Sequence, residues 1–299
     1  MILRRTTVTV DTDGREYKLA GTQQFDLTAN NTDIHNFISG CISPHWHDEL
    51  EIFVLESGRV AVGAGDTTHI VNAGEGCFIN ADVLHTFNAI VPEECIFRSF
   101  VFDSAIVSGA PGSIFDTRYT KPLIEKGAPY IHLTADDENR DFFDTFNECF
   151  DACSSDLPGY EFTVRDCLSK MLLFVSRQID NIDGNNIPHT AEIRMKTMME
   201  WIDQNISGNI TVTDIAGSVN ICTRECQRIF KNYLHYRPIE YVQRRRIIKA
   251  ADMLKATNRN ITDIALECGF SSVSYFTKQF KLVVGVTPNH YRKGRSDIQ

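Results

Sequence analysis

The sequence predicts a two-domain protein: an N-terminal all-β barrel with helices following it, and a C-terminal all-α domain of two helix-turn-helix units. Three observations carry this. The chain has 299 residues, more than one typical domain, and leaves enough on either side of a cut to bury two cores. Residues 1–189 hold 13 Lys and Arg against 29 Asp and Glu, whereas residues 190–299 hold 17 against 10, so the net charge of -9 hides a basic half. Near the C-terminus a pattern occurs twice. Asp214-Ile215-Ala216 returns 49 positions on as Asp263-Ile264-Ala265, Phe230 returns 50 on as Phe280, and Pro238-x-x-Tyr241 returns 50 on as Pro288-x-x-Tyr291. The expected organisation is a barrel over 1–135, a helical pair over 136–181, a linker over 182–190 and the repeated helical domain over 191–299.

Taken in order, Met1 to Thr9 lacks the long apolar run of a secretory signal or a membrane span, so a cytoplasmic protein is expected. Nine cysteines fit a reducing compartment: their number is odd and none forms a Cys-x-x-Cys pair. Short apolar segments then follow at Glu51–Glu56, Arg59–Gly63, Thr68–Asn72, Gly76–Asn80, Leu84–Val91 and Cys95–Asp103, each bounded by Gly, Asn, Asp or Pro. Many short strands with frequent turns suggest an antiparallel barrel or sandwich.

Within these strands stands His45-Trp46-His47-Asp48-Glu49-Leu50-Glu51, with Gly58 closing a hairpin and His85 further on. Residues two apart on a strand share a face, so His45 and His47 can point into one cavity. With Glu51 and His85 they offer three imidazoles and a carboxylate, a donor set suited to a divalent first-row transition metal. The same groups can instead hydrogen-bond one another around an organic effector, with Trp46, Phe53, Phe78 and Phe87 as candidate pocket walls. No catalytic residue is assigned.

Phe142, Phe143, Phe146, Phe150 and Cys153 recur at helical spacing, as do Val164, Cys167, Leu168, Met171, Leu172 and Val175, with Leu157-Pro158-Gly159 turning the chain between them. These two helices can cover the barrel. Ile182 to Thr190 is polar with Gly and Pro and reads as the linker. Met195, Met198, Met199, Ile202 and Ile206 trace the first helix of the basic half, and a long helix from about Pro238 to Ala256 joins the two repeats through Val242, Ile247, Ala250, Ala251 and Leu254. Arg244-Arg245-Arg246 on that helix suits either phosphate contact or ion pairs with Glu240 or Asp252.

The second repeat is the plainer one. Asn260 can cap a short helix, and Gly269 supplies a left-handed turn. From Ser272 a helix follows with Phe276, Phe280 and Val283 or Val284 inward. Val273, Ser274, Thr277, Lys278 and Lys281 are left outward, a small, polar and basic face of the kind that enters a DNA major groove.

Residues 192–295 resemble the AraC/XylS-type transcription regulators, most specifically in the ending from Gly269-Phe270-Ser271-Ser272 to Thr287-Pro288 and Tyr291-Arg292. The resemblance implies two helix-turn-helix units joined by one long helix, whose second helices enter successive major-groove faces of one asymmetric double-stranded promoter site. Arg224, Gln227 and Arg228 would read in the first unit and Val273, Ser274, Thr277 and Lys278 in the second. The first unit departs from the common pattern in Cys222, Thr223 and Cys226. Likewise His45, His47, Glu51 and Gly58 resemble the first motif of the cupins, a jelly-roll family, while the second motif fits only at Gly74 and His85, with Asn80 and Asp82 where proline and glycine are usual. Regulators of this type often carry a cupin-like sensor and pair through helices placed like residues 136–181. The implied protein is therefore a ligand-responsive regulator and homodimer, an activator that would contact RNA polymerase, with an effector such as a sugar in the barrel. The alternative is a metal-dependent cupin sensor or enzyme fused to a DNA-binding module.

Overall fold

The computed structural model describes residues 2–3, 25–155, 157–179 and 190–294. They form two compact units that part just before Thr190. Apart from Thr190, the linker expected at 182–190 lies outside the described residues.

Among its described residues the first unit has ten strands and four α-helices in the order β1 (Ile2–Leu3), β2 (Leu27–Asp33), β3 (Cys41–His45), β4 (Leu50–Leu55), β5 (Arg59–Ala64), β6 (Thr67–Asn72), β7 (Gly76–Ile79), β8 (His85–Ala89), β9 (Ile96–Phe102), α1 (Ala105–Ser108), α2 (Lys121–Lys126), β10 (Tyr130–Leu133), α3 (Arg140–Ser155) and α4 (Tyr160–Ile179). The strands make two sheets, one of order β1-β2-β9-β4-β7-β10 and one of order β3-β8-β5-β6.

The expected closed jelly-roll or cupin barrel is not what forms. Closure requires every strand to be hydrogen-bonded on both sides, yet among the described residues both sheets are open: β10 pairs with β7 alone, β6 with β5 alone and β3 with β8 alone. Two packed open sheets therefore replace the barrel. The glycine breaks in the sequence mislead because they serve two different turns. Gly65-Asp66 makes a hairpin within one sheet, joining β5 to β6, whereas Ser57-Gly58 carries the chain from β4 in the larger sheet to β5 in the smaller. Gly58 thus closes no hairpin. Its φ of +87 and a would-be Cβ only 2.8 Å from Cys95 Sγ mark a tight crossing that only glycine fits.

β4 explains the unbroken apolar run at Glu51–Glu56, since all six of its residues are buried. Ile52 and Val54 pack with Phe78, Phe100 and Phe102 against Phe142, Phe146 and Phe150 of α3 and Val164, Leu168 and Met171 of α4. Phe53 and Leu55 turn the other way, joining Val60, Val62, Phe87 and Phe97 between the sheets. The apolar faces of α3 and α4 are accordingly spent on this unit's own core. Cys149, Cys153 and Cys167 pack among them as small apolar side chains.

The second unit comprises α5 (Thr190–Gln204), α6 (Val212–Gly217), α7 (Thr223–Leu234), α8 (Pro238–Ala256), α9 (Ile261–Glu267), α10 (Val273–Val284) and α11 (Pro288–Lys293). Thr211 and Asp214 close a reciprocal capping box at α6, and Asn260 caps α9 by accepting from the Thr262 N–H at 2.9 Å. Val242, Ile247, Ala250, Ala251 and Leu254 are all buried along α8. The repeat seen in sequence is a repeat in packing: Phe230 meets Tyr241 at 5.7 Å and Phe280 meets Tyr291 at 5.5 Å between ring centroids.

Candidate nucleic-acid interface and histidine–glutamate cluster

α6 with α7, and α9 with α10, are the two helix-turn-helix pairs. Each turn contains a left-handed residue, Asn220 (φ 56) in the first and Gly269 (φ 81) in the second, and the second helix of each pair ends in another, His235 (φ 58) and Gly285 (φ 88). The sites correspond at offsets of 49 and 50 residues. Gly269 does more than permit a turn. A Cβ there would lie 2.6 Å from the Ile206 carbonyl oxygen and 2.9 Å from Arg246 Cζ and Nε. Arg246 of α8 in turn donates from Nε to Ile206 O at 2.9 Å and from a terminal nitrogen to Gly208 O at 2.5 Å, so a buried guanidinium ties the segment after α5 to α8, close against the second turn.

The arginine run on α8 divides accordingly. Arg245 forms a two-bonded ion pair with Asp203 at 2.9 and 2.6 Å, Arg246 makes the clamp just described, and Arg244 lies 4.9 Å over the Tyr236 ring. Asp203 and Arg245 stand 42 residues apart, and no local pattern announced their pairing.

Of the expected readers, Arg224, Gln227, Arg228, Ser274 and Lys278 are exposed, while Val273 and Thr277 are half-buried. Ile229 and Phe230 on α7, and Phe276 and Phe280 on α10, are buried on the opposite faces. Arg224, Gln227 and Arg228 stand 50 residues before Ser274, Thr277 and Lys278, so equivalent positions of the two repeats are presented. Arg228 is held by Glu225 through two hydrogen bonds of 2.8 and 2.6 Å, and that bonding pushes the Glu225 carboxyl below its usual range. An exposed pair of this kind is readily exchanged for a phosphate. The departure at the first turn has a structural meaning. Cys222 takes the N-cap position of α7 without a side-chain cap, whereas Ser272, its counterpart, accepts from the Tyr275 N–H at 3.3 Å.

In the first unit the four residues His45, His47, Glu51 and His85 converge, their ligand atoms all within 4.8 Å of one another. His45 closes β3 and His47 follows the bridge residue Trp46, and the two imidazoles, two residues apart, face one cluster. Ring centroids lie 4.2 Å apart for His45 and His85, 5.0 Å for His47 and His85, and 5.9 Å for His45 and His47. Glu51 Oε2 lies 3.2 Å from His85 Nε2 and 3.5 Å from His47 Nε2. Burial opposes the charge on Glu51, but the two histidines beside it hold its carboxyl well below the usual range. Burial, with His85 and His47 as neighbours, holds the His45 imidazole well below its ordinary value. Asp82, where glycine is usual in the resembled motif, takes the left-handed backbone a glycine would (φ 57).

The candidate pocket walls do not surround one space. Phe53 and Phe87 stack at 4.6 Å between the sheets, with Phe97 4.9 Å from Phe53, and Phe87 meets His85 edge-on at 5.8 Å. Trp46 is buried. Phe78 faces α3 and α4 on the other side of the larger sheet. Elsewhere in this unit a pocket of about 270 Å³ opens between α4 and the α1–α2 segment, lined by Val107, Phe115, Leu123 and Leu172 with Thr120 and Ser169.

A β unit followed in the chain by a pair of helix-turn-helix units defines a class of gene regulators, and comparison with known proteins places the chain in it. Residues 215–294 match the helix-turn-helix domain family and residues 39–159 the AraC-like ligand binding domain family. The Tn10 TetD protein of Escherichia coli is 34% identical over 107 residues, 36% of this chain and 76% of that one. The transcriptional activator AarP of Providencia stuartii is 36% identical over 95 residues, 32% and 70% of the two chains. The uncharacterised regulator YdeC of Bacillus subtilis is 25% identical over 295 residues, 96% and 98% of the two chains. The chain belongs to the AraC/XylS family and is a ligand-responsive helix-turn-helix transcription regulator. No helix among the described residues is long and apolar enough to cross a membrane.

Proposed function

We propose that the protein regulates transcription by laying α7 and α10 into successive major-groove faces of one promoter site, with Arg224, Gln227 and Arg228 reading in the first and Val273, Ser274, Thr277 and Lys278 in the second. One observation carries this reading: equivalent positions of the two repeats present polar or basic side chains outward from helices whose other faces are buried. The basic balance of residues 190–299 favours phosphate contact, and the acidic balance of residues 1–189 keeps the first unit off DNA.

A small-molecule effector taken up by the first unit changes promoter occupancy, which requires different effector affinities for the DNA-bound and free arrangements. The lining is mostly apolar, formed by Val107, Phe115, Leu123, Leu172 and Leu173 with Tyr119, Thr120, Ser169 and Lys170 as its polar members, and suits a largely apolar effector better than a sugar. The protein acts as a homodimer and as an activator touching RNA polymerase. Exposed Phe162 and Leu173 on the outer side of α4 support a pairing surface there.

Substitution tests the reading faces. Lys278→Ala and Arg228→Ala are each expected to weaken specific DNA binding by at least ~1 kcal/mol, measured by anisotropy on a labelled duplex carrying the selected site. Unchanged affinity in both variants would refute the assignment.

A further inference from the structure

The pocket beside α4 lies on the helical side of the larger sheet, away from the histidine–glutamate cluster. Val107, Leu123 and Leu172 of its lining belong to the core shared with α3 and α4, whereas Phe87, edge-on to His85, lies between the sheets. Phe115 and Tyr119, 53% and 37% exposed, stand at its mouth. One wall comes from a π-helical turn at Asp116–Thr120, where the Lys121 N–H bonds Asp116 O five residues back, and turns of this kind recur at functional sites. An apolar cavity of about 150 Å³ takes benzene, so this one of about 270 Å³ has room for a body of two fused rings.

The polar lining sets what such a body carries. Ser169 donates its hydroxyl to Arg165 O at 2.6 Å, and Thr120 donates to the carbonyls of Phe115 and Asp116, each at 3.4 Å. A hydroxyl has one proton and two lone pairs, so both side chains keep acceptor sites alone for a ligand. The Lys170 ammonium is answered by Asp166 at 2.7 Å, with Glu148 beside it. An anionic ligand therefore finds no net positive charge, and losing its water there is costly. A ligand hydroxyl or N–H, by contrast, meets an unused oxygen lone pair.

We propose that this pocket takes a neutral, apolar two-ring molecule bearing one hydrogen-bond donor, of the indole type, whose N–H donates to Ser169 Oγ. The proposal rests on the reading that an effector enters the first unit, and gives that effector a chemical class. Leu173 lines the pocket and stands exposed on the side of α4 assigned to pairing, so a bound ligand covers part of that surface.

Full-length protein is titrated calorimetrically with three compounds: indole, benzothiophene, which has nearly the same shape and no donor, and indole-2-carboxylate, which adds a negative charge. Indole should bind at one equivalent per chain, roughly 3–10-fold more tightly than benzothiophene and at least ~10-fold more tightly than the carboxylate. Ser169→Ala should abolish the preference for indole over benzothiophene. Phe115→Ala, in an exposed turn, should weaken both alike by removing an aromatic wall, and Ser176→Ala, which removes a comparable helix hydroxyl outside the pocket, should change neither. No heat of binding at one equivalent, equal affinity for benzothiophene, or a preference that survives Ser169→Ala overturns the proposal. Indole that binds as described yet leaves occupancy of the selected DNA site unchanged upholds the site and refutes only its role in regulation.

Discussion

Gly269→Ala probes the close packing of the second turn against the clamp by which Arg246 holds Ile206 and Gly208. The added methyl would sit in a backbone conformation with φ of +81, 2.6 Å from the Ile206 carbonyl oxygen and 2.9 Å from the buried Arg246 guanidinium. The left-handed conformation alone costs an L-residue roughly 1–2 kcal/mol. The carbonyl belongs to the backbone and cannot swing aside, so relief requires giving up an Arg246 hydrogen bond to Ile206 or Gly208. A hydrogen bond from a charged donor contributes about 1.5–3 kcal/mol, and the total is therefore about 2.5–5 kcal/mol, a large share of a typical domain's stability. Gly285→Ala is the matched control, with φ of +88 and nothing within 4 Å of the new methyl; only the conformational cost of about 1–2 kcal/mol applies. Urea unfolding followed by Trp201 emission, in a Trp46→Phe background so that α5 alone reports, measures both. If the two alanine variants differ by less than about 0.5 kcal/mol, the contact argument is wrong and the glycine serves its φ alone.

Two further comparisons use the repeat as its own reference. Ser272→Ala should cost about 1 kcal/mol by removing the cap of α10, and Cys222→Ser should gain a similar amount by supplying the missing cap to α7; urea midpoints that move together in either direction would contradict this. His235→Gly should stabilise the second unit by about 0.5–1 kcal/mol, because glycine takes the left-handed position at the end of α7 without a Cβ penalty, as Gly285 does for α10. A lowered melting temperature would mean that His235's side-chain contacts outweigh its strain.

The helical half was legible because its signals are local. The 49- and 50-residue offsets, the glycine of the second turn and the buried stripes of α8 and α10 all sit within a few turns of the residues they position. Arg246 was not legible: its partners are carbonyls of Ile206 and Gly208, which every residue type carries. In the β half, strand existence could be read but closure could not, since a glycine turn looks the same in a hairpin and in a crossing between sheets. β2, β3 and β10 escaped as well; Leu27–Asp33 is rich in Asn and Thr, and Cys41–His45 contains a proline. The histidine cluster was legible in part: the spacing of His45 and His47 puts them on one side, whereas the approach of His85 rests on the register of β8 against β3, where His45 and His85 are paired.

Selection of bound sequences from a random duplex pool by the full-length protein tests the central claim most directly. Two reading helices on successive major-groove faces predict an enriched site of two unlike elements centred roughly 10–10.5 base pairs apart, with Arg228→Ala losing selectivity in one element and Lys278→Ala in the other. A single enriched element that both substitutions blur alike, or no enriched sequence at all, would contradict the account.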